Sequence, residues 1–127
     1  NLEFEEDGSE SFVEADKILL KRAIENLVIN ALIHNPEDTK VCVGVESASD
    51  DTVKIIVKDN GRGMSEKEVS RLFDRYYRGG NTSQKTGGTG LGMAIARQII
   101  EQSGGRVEVM SKVAEGTIIT VYMRKAQ

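Results

Sequence analysis

Cysteine and proline are nearly missing from this sequence, with one of each in 127 residues. With Cys42 alone, no internal disulfide forms, and a reducing, cytoplasmic setting suits the chain. No apolar run approaches the length of a membrane span, and no stretch of these residues is expected to act as a signal peptide. The chain itself is therefore expected not to span a membrane, although an anchor elsewhere in a longer parent is compatible with it. A basic excess is also missing. The formal net charge of −3 argues against a general nucleic-acid binder, so no nucleic-acid partner is expected. What remains is ordinary soluble composition, 39% hydrophobic and 29% charged, in a length that fits one domain spanning residues 1–127. A chain of this size buries roughly two thirds of its unfolded surface and needs no covalent staple.

Glycine is the feature in excess. Eight of the thirteen glycines fall between Gly61 and Gly92. Glycine concentrated in one stretch points to backbone that approaches a ligand closely, rather than to general flexibility.

Residues 2–6 and 11–14 read as two short strands around a turn at Asp7-Gly8. Asp16 stands where a helix N-cap belongs. Residues 17–34 are helical in pattern, with Leu20, Ala23, Ile24, Leu27, Val28 and Ala31 on one face, and Asn35-Pro36 stops them. Val41, Val43 and Val45 alternate with Cys42, Gly44 and Glu46 as a half-buried strand, and residues 53–59 give a second strand after the Asp50-Asp51 turn. Ser65 and Glu68 form a capping box for a short helix that includes Val69 and Leu72. Residues 79–89 are polar and aperiodic and read as a mobile loop. Residues 91–102 are helical again and end at Gly104-Gly105. Residues 106–111 and 117–124 read as two closing strands around Ala114-Glu115-Gly116. This order predicts a two-layer α/β sandwich, α+β in type: mainly antiparallel strands, covered on one face by about three helices.

Four local features carry candidate chemistry, and each has a plainer reading. Asn26 and Asn30 are four apart on the long helix, so both amides lie on one side at the shoulder of the apolar face. One solvated amide and one core hydrogen bond would explain them equally well. Asp59-Asn60-Gly61-Arg62-Gly63 follows a strand directly; its carboxylate can reach a ligand amine, yet the same residues make a plain β-turn. Gly88-Thr89-Gly90-Leu91-Gly92 opens a helix, where free N–H groups attract anions. It is not a Walker A motif, because no Lys-Ser or Lys-Thr pair follows, and it lacks the parallel strand-turn-helix unit of a dinucleotide fingerprint. The run Arg71-Leu72-Phe73-Asp74-Arg75-Tyr76-Tyr77-Arg78 holds three of the six aromatic residues. It reads either as a hydrophobic cluster under a loop or as a site edge where Arg78 meets negative charge.

In this order the four features resemble the ATPase superfamily of DNA gyrase, the heat-shock chaperone, histidine kinases and the mismatch-repair ATPases. More narrowly they resemble the catalytic domain of a sensor histidine kinase. Asn26-Leu27-Val28-Ile29-Asn30-Ala31 is similar to that family's asparagine box, and Asp59-Asn60-Gly61-Arg62-Gly63-Met64 to its first glycine box. The Leu72 to Arg78 run is similar to its phenylalanine box, Gly88 to Met93 to its second glycine box, and Gly116-Thr117 to its last glycine motif. The resemblance implies a Bergerat-type fold, ATP and Mg2+ as ligands, and roles for residues. Asn30 would coordinate magnesium on the triphosphate, with Asn26 assisting. Asp59 would accept from the adenine amino group, with Gly61 and Gly63 letting the nucleotide lie against the backbone. Gly88, Thr89, Gly90, Leu91 and Gly92 would sit at the phosphates under a lid of residues 79–89, and Arg78 would approach the terminal phosphate. The implied reaction moves that phosphoryl group to a histidine on a dimerisation and phosphoacceptor domain of the parent kinase, outside these residues, and from there to the receiver domain of a response regulator.

The sequence departs from the family at Ile33 and His34, where a basic residue and a tyrosine are frequent. Ile33 cannot contact phosphate, leaving Lys85 as a substitute. His34 either stacks near the adenine or simply favours the helix C-terminal dipole. As the only histidine, and one on the nucleotide helix, it is a poor phosphoacceptor. Other readings are a nucleotide-binding regulatory module without transfer, a related ATP hydrolase, and an anti-sigma serine kinase. The hydrolases place a glutamate base where Asn26 stands here, and Glu25 points about 100° away around the helix. The phenylalanine box before the lid counts against the serine kinase.

Overall fold

Alternation along the strands decides the architecture. In a computed structural model, residues 2–6, 17–33, 35–73 and 92–124 are described. The order of elements is β1 (Leu2–Glu6), α1 (Lys17–Ile33), β2 (Val41–Ser47), β3 (Thr52–Asp59), α2 (Glu66–Arg71), α3 (Gly92–Gln102), β4 (Arg106–Lys112) and β5 (Gly116–Arg124). The five strands form one sheet in the order β1-β2-β3-β5-β4. β2 with β3 and β4 with β5 pair antiparallel across short turns, β3 pairs antiparallel with β5 although α2, α3 and β4 lie between them in the chain, and β1 pairs parallel with β2. The sheet is thus mixed and mainly antiparallel. Residues 11–14, read as the partner of β1 across a turn, lie outside the described residues. Among the described residues, β1 hydrogen-bonds with β2.

Every second side chain of β3 and β5 is buried: Val53, Ile55, Val57 and Asp59 on one, Thr117, Ile119, Val121 and Met123 on the other. This inner face receives α1 through Ala23, Leu27 and Ala31, and α3 through Met93, Ala96, Ile99 and Ile100. The predicted apolar face of α1 is the one that packs. The outer face of the sheet carries polar cross-strand contacts instead, with Lys54 paired to Glu46 at 3.0 Å and Arg106 stacked 3.9 Å from the Tyr122 ring centroid. No described helix is long and apolar enough to cross a membrane.

Local sequence sets the helix ends. Ser65 accepts from Glu68 N–H while the Glu68 carboxylate accepts from Ser65 N–H, so the expected capping box is present. Leu72 is the C-cap of α2 rather than a member of it, because its N–H reaches back only three residues to Val69 O. Gly104, at φ +82°, ends α3 in the left-handed region that glycine tolerates.

Candidate functional site

The register of the antiparallel strands builds the site. Along the inner face, rows of cross-strand neighbours are apolar: Val43, Val57, Ile119 and Val109 form one row, and Val45, Ile55, Val121 and Val107 another. The end row changes character. There Asp59 of β3 faces Thr117 of β5, which faces Ser111 of β4. One end of an otherwise hydrophobic face therefore carries a carboxylate and two hydroxyls on adjacent strands. A cavity opens there, with Asp59, Thr117 and the Asn30 amide among its polar lining and Leu72, Met93 and Ile119 among its apolar walls.

Asp59 is 8% exposed. Burial raises its pKa above the ordinary carboxylate value, only partly opposed by backbone hydrogen bonds from Gly61 and Thr117, which favour the charged form. The Gly61 N–H donates to Asp59 Oδ1 at 2.9 Å. This is the turn chemistry that the local sequence suggested, and the same carboxylate lines the cavity; the two readings are compatible. A testable consequence concerns pH. The folded carboxyl holds its proton to higher pH than the unfolded one. Its contribution to stability is full below the ordinary carboxylate pKa and falls as pH rises through the raised value. Urea denaturation of the parent and of Asp59→Asn, from about pH 4 to about pH 7, should show the parent losing stability relative to the variant across that window. A constant difference would mean that Asp59 ionises as readily in the fold as in the open chain.

The hydroxyls form a closed set. Ser111 Oγ accepts from Met64 N–H at 2.8 Å, lies 3.0 Å from Gly116 O as a donor, and 2.7 Å from Thr117 Oγ1. With the Ser111 proton on the Gly116 carbonyl, Thr117 supplies the proton between the two hydroxyls. Thr117 then turns acceptor lone pairs outward, as the Asp59 carboxylate does. A cavity with apolar walls and acceptors at one end suits a flat ring that carries a donor there.

Asn26 and Asn30 are both half-buried on one side of α1. Asn30 lines the cavity, and Asn26 reaches the start of α3, where a Cβ placed on Gly92 would lie 3.9 Å from Asn26 Cγ. The structure therefore brings together Asn26, Asn30, Asp59, Gly61, Gly63 and Gly92 around one end of the sheet. His34, Arg78, Lys85, Gly88, Thr89, Gly90 and Leu91 lie outside the described residues. Ile33 ends α1 at 43% exposure. Glu25 is exposed and 3.9 Å from Lys21 across one helical turn.

The glycines of the Asp59–Met64 segment have a packing reason as well. A Cβ on Gly61 would meet Asn35 Oδ1 at 2.1 Å, and one on Gly63, at φ +69°, would meet the Lys112 carbonyl at 2.0 Å. Three residues that line or brace the site were not singled out as site residues from sequence. Thr117 and Ser111 come to it through strand register. Asn60 anchors the segment from below, its Oδ1 accepting from Lys40 N–H at 2.8 Å while its own N–H donates to Lys40 O at 3.2 Å. Of these, Thr117 and Asn60 stood within quoted motifs, the Gly116-Thr117 pair and the Asp59–Met64 run, whereas Ser111 carried no local signal.

Comparison with known proteins gives the family and supports the fold. The family described as histidine kinase-, DNA gyrase B-, and HSP90-like ATPase matches residues 15–127. The sensor histidine kinase YvrG of Bacillus subtilis (strain 168) is 42% identical over 110 residues, which cover 87% of this chain and 19% of YvrG. Among solved structures, the mycobacterial sensor histidine kinase MprB superposes with a TM-score of 0.84 at 26% identity, covering 98% of this chain and 84% of that one. The histidine kinase ThkA, solved in complex with the response regulator protein TrrA, gives a TM-score of 0.77 at 26% identity over 99% of this chain and 34% of that one. The chain spans about a fifth of the length of the curated relatives it matches. By the family match over most of its length, by its relatives and by its fold, the chain belongs to the histidine kinase-, DNA gyrase B-, and HSP90-like ATPases, on the sensor histidine kinase side of that family.

Proposed function

We propose that this chain binds ATP with magnesium and presents the terminal phosphoryl group to a histidine on a separate dimerisation segment of a parent sensor kinase, which then passes it to a response regulator. The observation that carries this reading is the buried Asp59 carboxylate sharing one cavity with the Asn30 amide. Asp59 and the acceptor side of Thr117 suit the amino edge of adenine, and Leu72, Met93 and Ile119 suit its faces. Asn30 lies along the cavity from Asp59, on the helix whose Asn26 reaches Gly92 at the start of α3. A ligand read at Asp59 would thus extend its phosphates past the asparagines toward a helix N-terminus, where N–H groups and the dipole favour negative charge.

The residues fit magnesium as a ligand held jointly with phosphates. Among the described residues no three of His, Cys, Asp and Glu come together to hold a metal ion. Asn30 offers one neutral carbonyl oxygen, and magnesium prefers oxygen ligands while keeping several waters. When bound, the ion would neutralise charge on the phosphates. The work of the protein would be placement, by Asn30, by Arg78 and by backbone N–H groups, which is most of what phosphoryl transfer requires. Calorimetric titration tests this: magnesium should bind tightly only when nucleotide is present. Tight magnesium binding to the nucleotide-free protein would contradict the role given to Asn30.

A second reading, a nucleotide-sensing module without transfer, is favoured by one observation. Ile33 stands exposed, at the position where the resemblance to the histidine kinase family leads one to expect a basic residue. Phosphotransfer to an added dimerisation segment separates the two. Hydrolysis by a glutamate base is disfavoured, since Glu25 faces solvent beside Lys21 while Asn26 occupies the inward position.

A further inference from the structure

Asn35 stops α1 in the sequence, and nothing in the functional reading so far uses it. Its side chain nevertheless lies between the two halves of the site. Nδ2 donates to the carbonyl of Ala31 at 2.8 Å, one of the C-terminal carbonyls of α1 with no partner inside the helix. Oδ1 accepts from the N–H of Arg62 at 3.1 Å. Both bonds are part-buried, and Asn35 itself lines the cavity. The primary amide supplies a donor and an acceptor from one short planar group, and only one orientation of it serves both partners.

Arg62 is held from its other side as well. Its carbonyl accepts from Ala114 N–H at 2.7 Å, in the turn between β4 and β5. The residue before it, Gly61, donates to the Asp59 carboxylate at 2.9 Å. The Asp59–Arg62 segment is thus clasped between the hairpin and the end of α1. Asn35 supplies the α1 side of that clasp. It occupies the space that a Cβ on Gly61 would need, with Oδ1 only 2.1 Å from that point.

From this geometry we infer that Asn35 is a positioning residue. It fixes the distance between the helix that carries Asn30 and the turn that carries Asp59, and through Gly61 it sets the direction in which the Asp59 carboxylate faces the cavity. The inference rests on the reading of the cavity as an adenine-nucleotide site. It predicts that selectivity for the base depends on a side chain that itself belongs to the helix end.

The experiment has a ligand-free arm and a ligand arm. In the first, unfolding of Gly61→Ala is measured by denaturant in the parent and in the Asn35→Ala background. Removing the amide frees the space, so Gly61→Ala should be clearly less destabilising in the second background. Additive effects would overturn the contact on which the inference stands. In the second arm, ATP and GTP are titrated against the parent, Asn35→Ala, Asn35→Asp and Asp59→Asn. Asn35→Ala should lower the ratio of ATP to GTP affinity by about fivefold, in keeping with the loss of one positioning hydrogen bond. Asn35→Asp keeps the acceptor for Arg62 N–H, loses the donor to Ala31 and places a negative charge at the helix C-terminus. It should therefore be less stable than the parent yet retain most of the discrimination. A residue with a merely structural part would show discrimination following stability across the variants, and that result would overturn the inference. So would an unchanged ratio in Asn35→Ala while Asp59→Asn lowers it. If the parent prefers neither nucleotide and Asp59→Asn is also silent, the nucleotide reading itself fails, and the role given to Asn35 falls with it.

Discussion

Replacing Asp59 with asparagine is expected to weaken ATP and ADP binding together, by about 1–3 kcal/mol. The two nucleotides share the base and differ only at the phosphates, so a residue that reads the base must affect both alike. The substitution keeps the shape of the side chain. It replaces one acceptor oxygen with an NH2 group, and two donors then face each other across a contact with an amine. Burial makes the loss large: Asp59 is 8% exposed, and water cannot easily take the place of the missing partner. The neighbouring acceptors do not compensate, because the amide also competes for Thr117. Calorimetric titration of both nucleotides is the measurement. An unchanged affinity would remove Asp59 from the site, and an effect on ATP alone would move it toward the phosphates.

The largest expected effect concerns the reaction. The isolated chain, incubated with ATP labelled at the terminal phosphate, should acquire no acid-labile label. His34 is its only histidine and belongs by sequence to the nucleotide helix. Transfer needs an acceptor held about 3–3.5 Å from the phosphorus in near-attack geometry. Adding the parent's dimerisation segment should restore labelling, on that segment. Asn30→Ala should then abolish it, because the cavity loses the one side-chain oxygen assigned to magnesium. Arg78→Ala should reduce labelling more than it reduces ATP binding, as expected for a group that acts on developing charge. Phosphohistidine at His34, or rapid ATP hydrolysis by the isolated chain, would overturn the assignment of a two-part kinase.

Much of the fold was legible because its signals are local. Val53, Ile55 and Val57 announce a strand by alternation, Leu20 to Ala31 announce a helix by spacing, and Ser65 with Glu68 announces where α2 begins. Each signal comes from side chains within a few residues of one another, so it survives without knowledge of the tertiary structure. The boundaries moved by a residue or so, as at Leu72, where the last hydrogen bond shortens from four residues to three. The pairing of β1 was not legible. A short strand near Asp7-Gly8 suggests a hairpin, but its parallel union with β2 joins residues about forty apart, and no local pattern encodes that partner.

The sequence by itself determined the types of the elements and the faces that pack, and its motif order proposed Asn30 and Asp59 as groups suited to a nucleotide; the structure lines one cavity with both. Only the tertiary structure decided which groups meet. Thr117 and Ser111 join Asp59 because antiparallel register aligns them on one face of three strands. Asn35 reaches Arg62 because α1 crosses that end of the sheet, and Gly61 and Gly63 are glycines because an amide and a carbonyl from distant segments fill their Cβ positions. Such contacts depend on where separate elements come to rest against one another, a property of the packed core that spacing along the chain does not record.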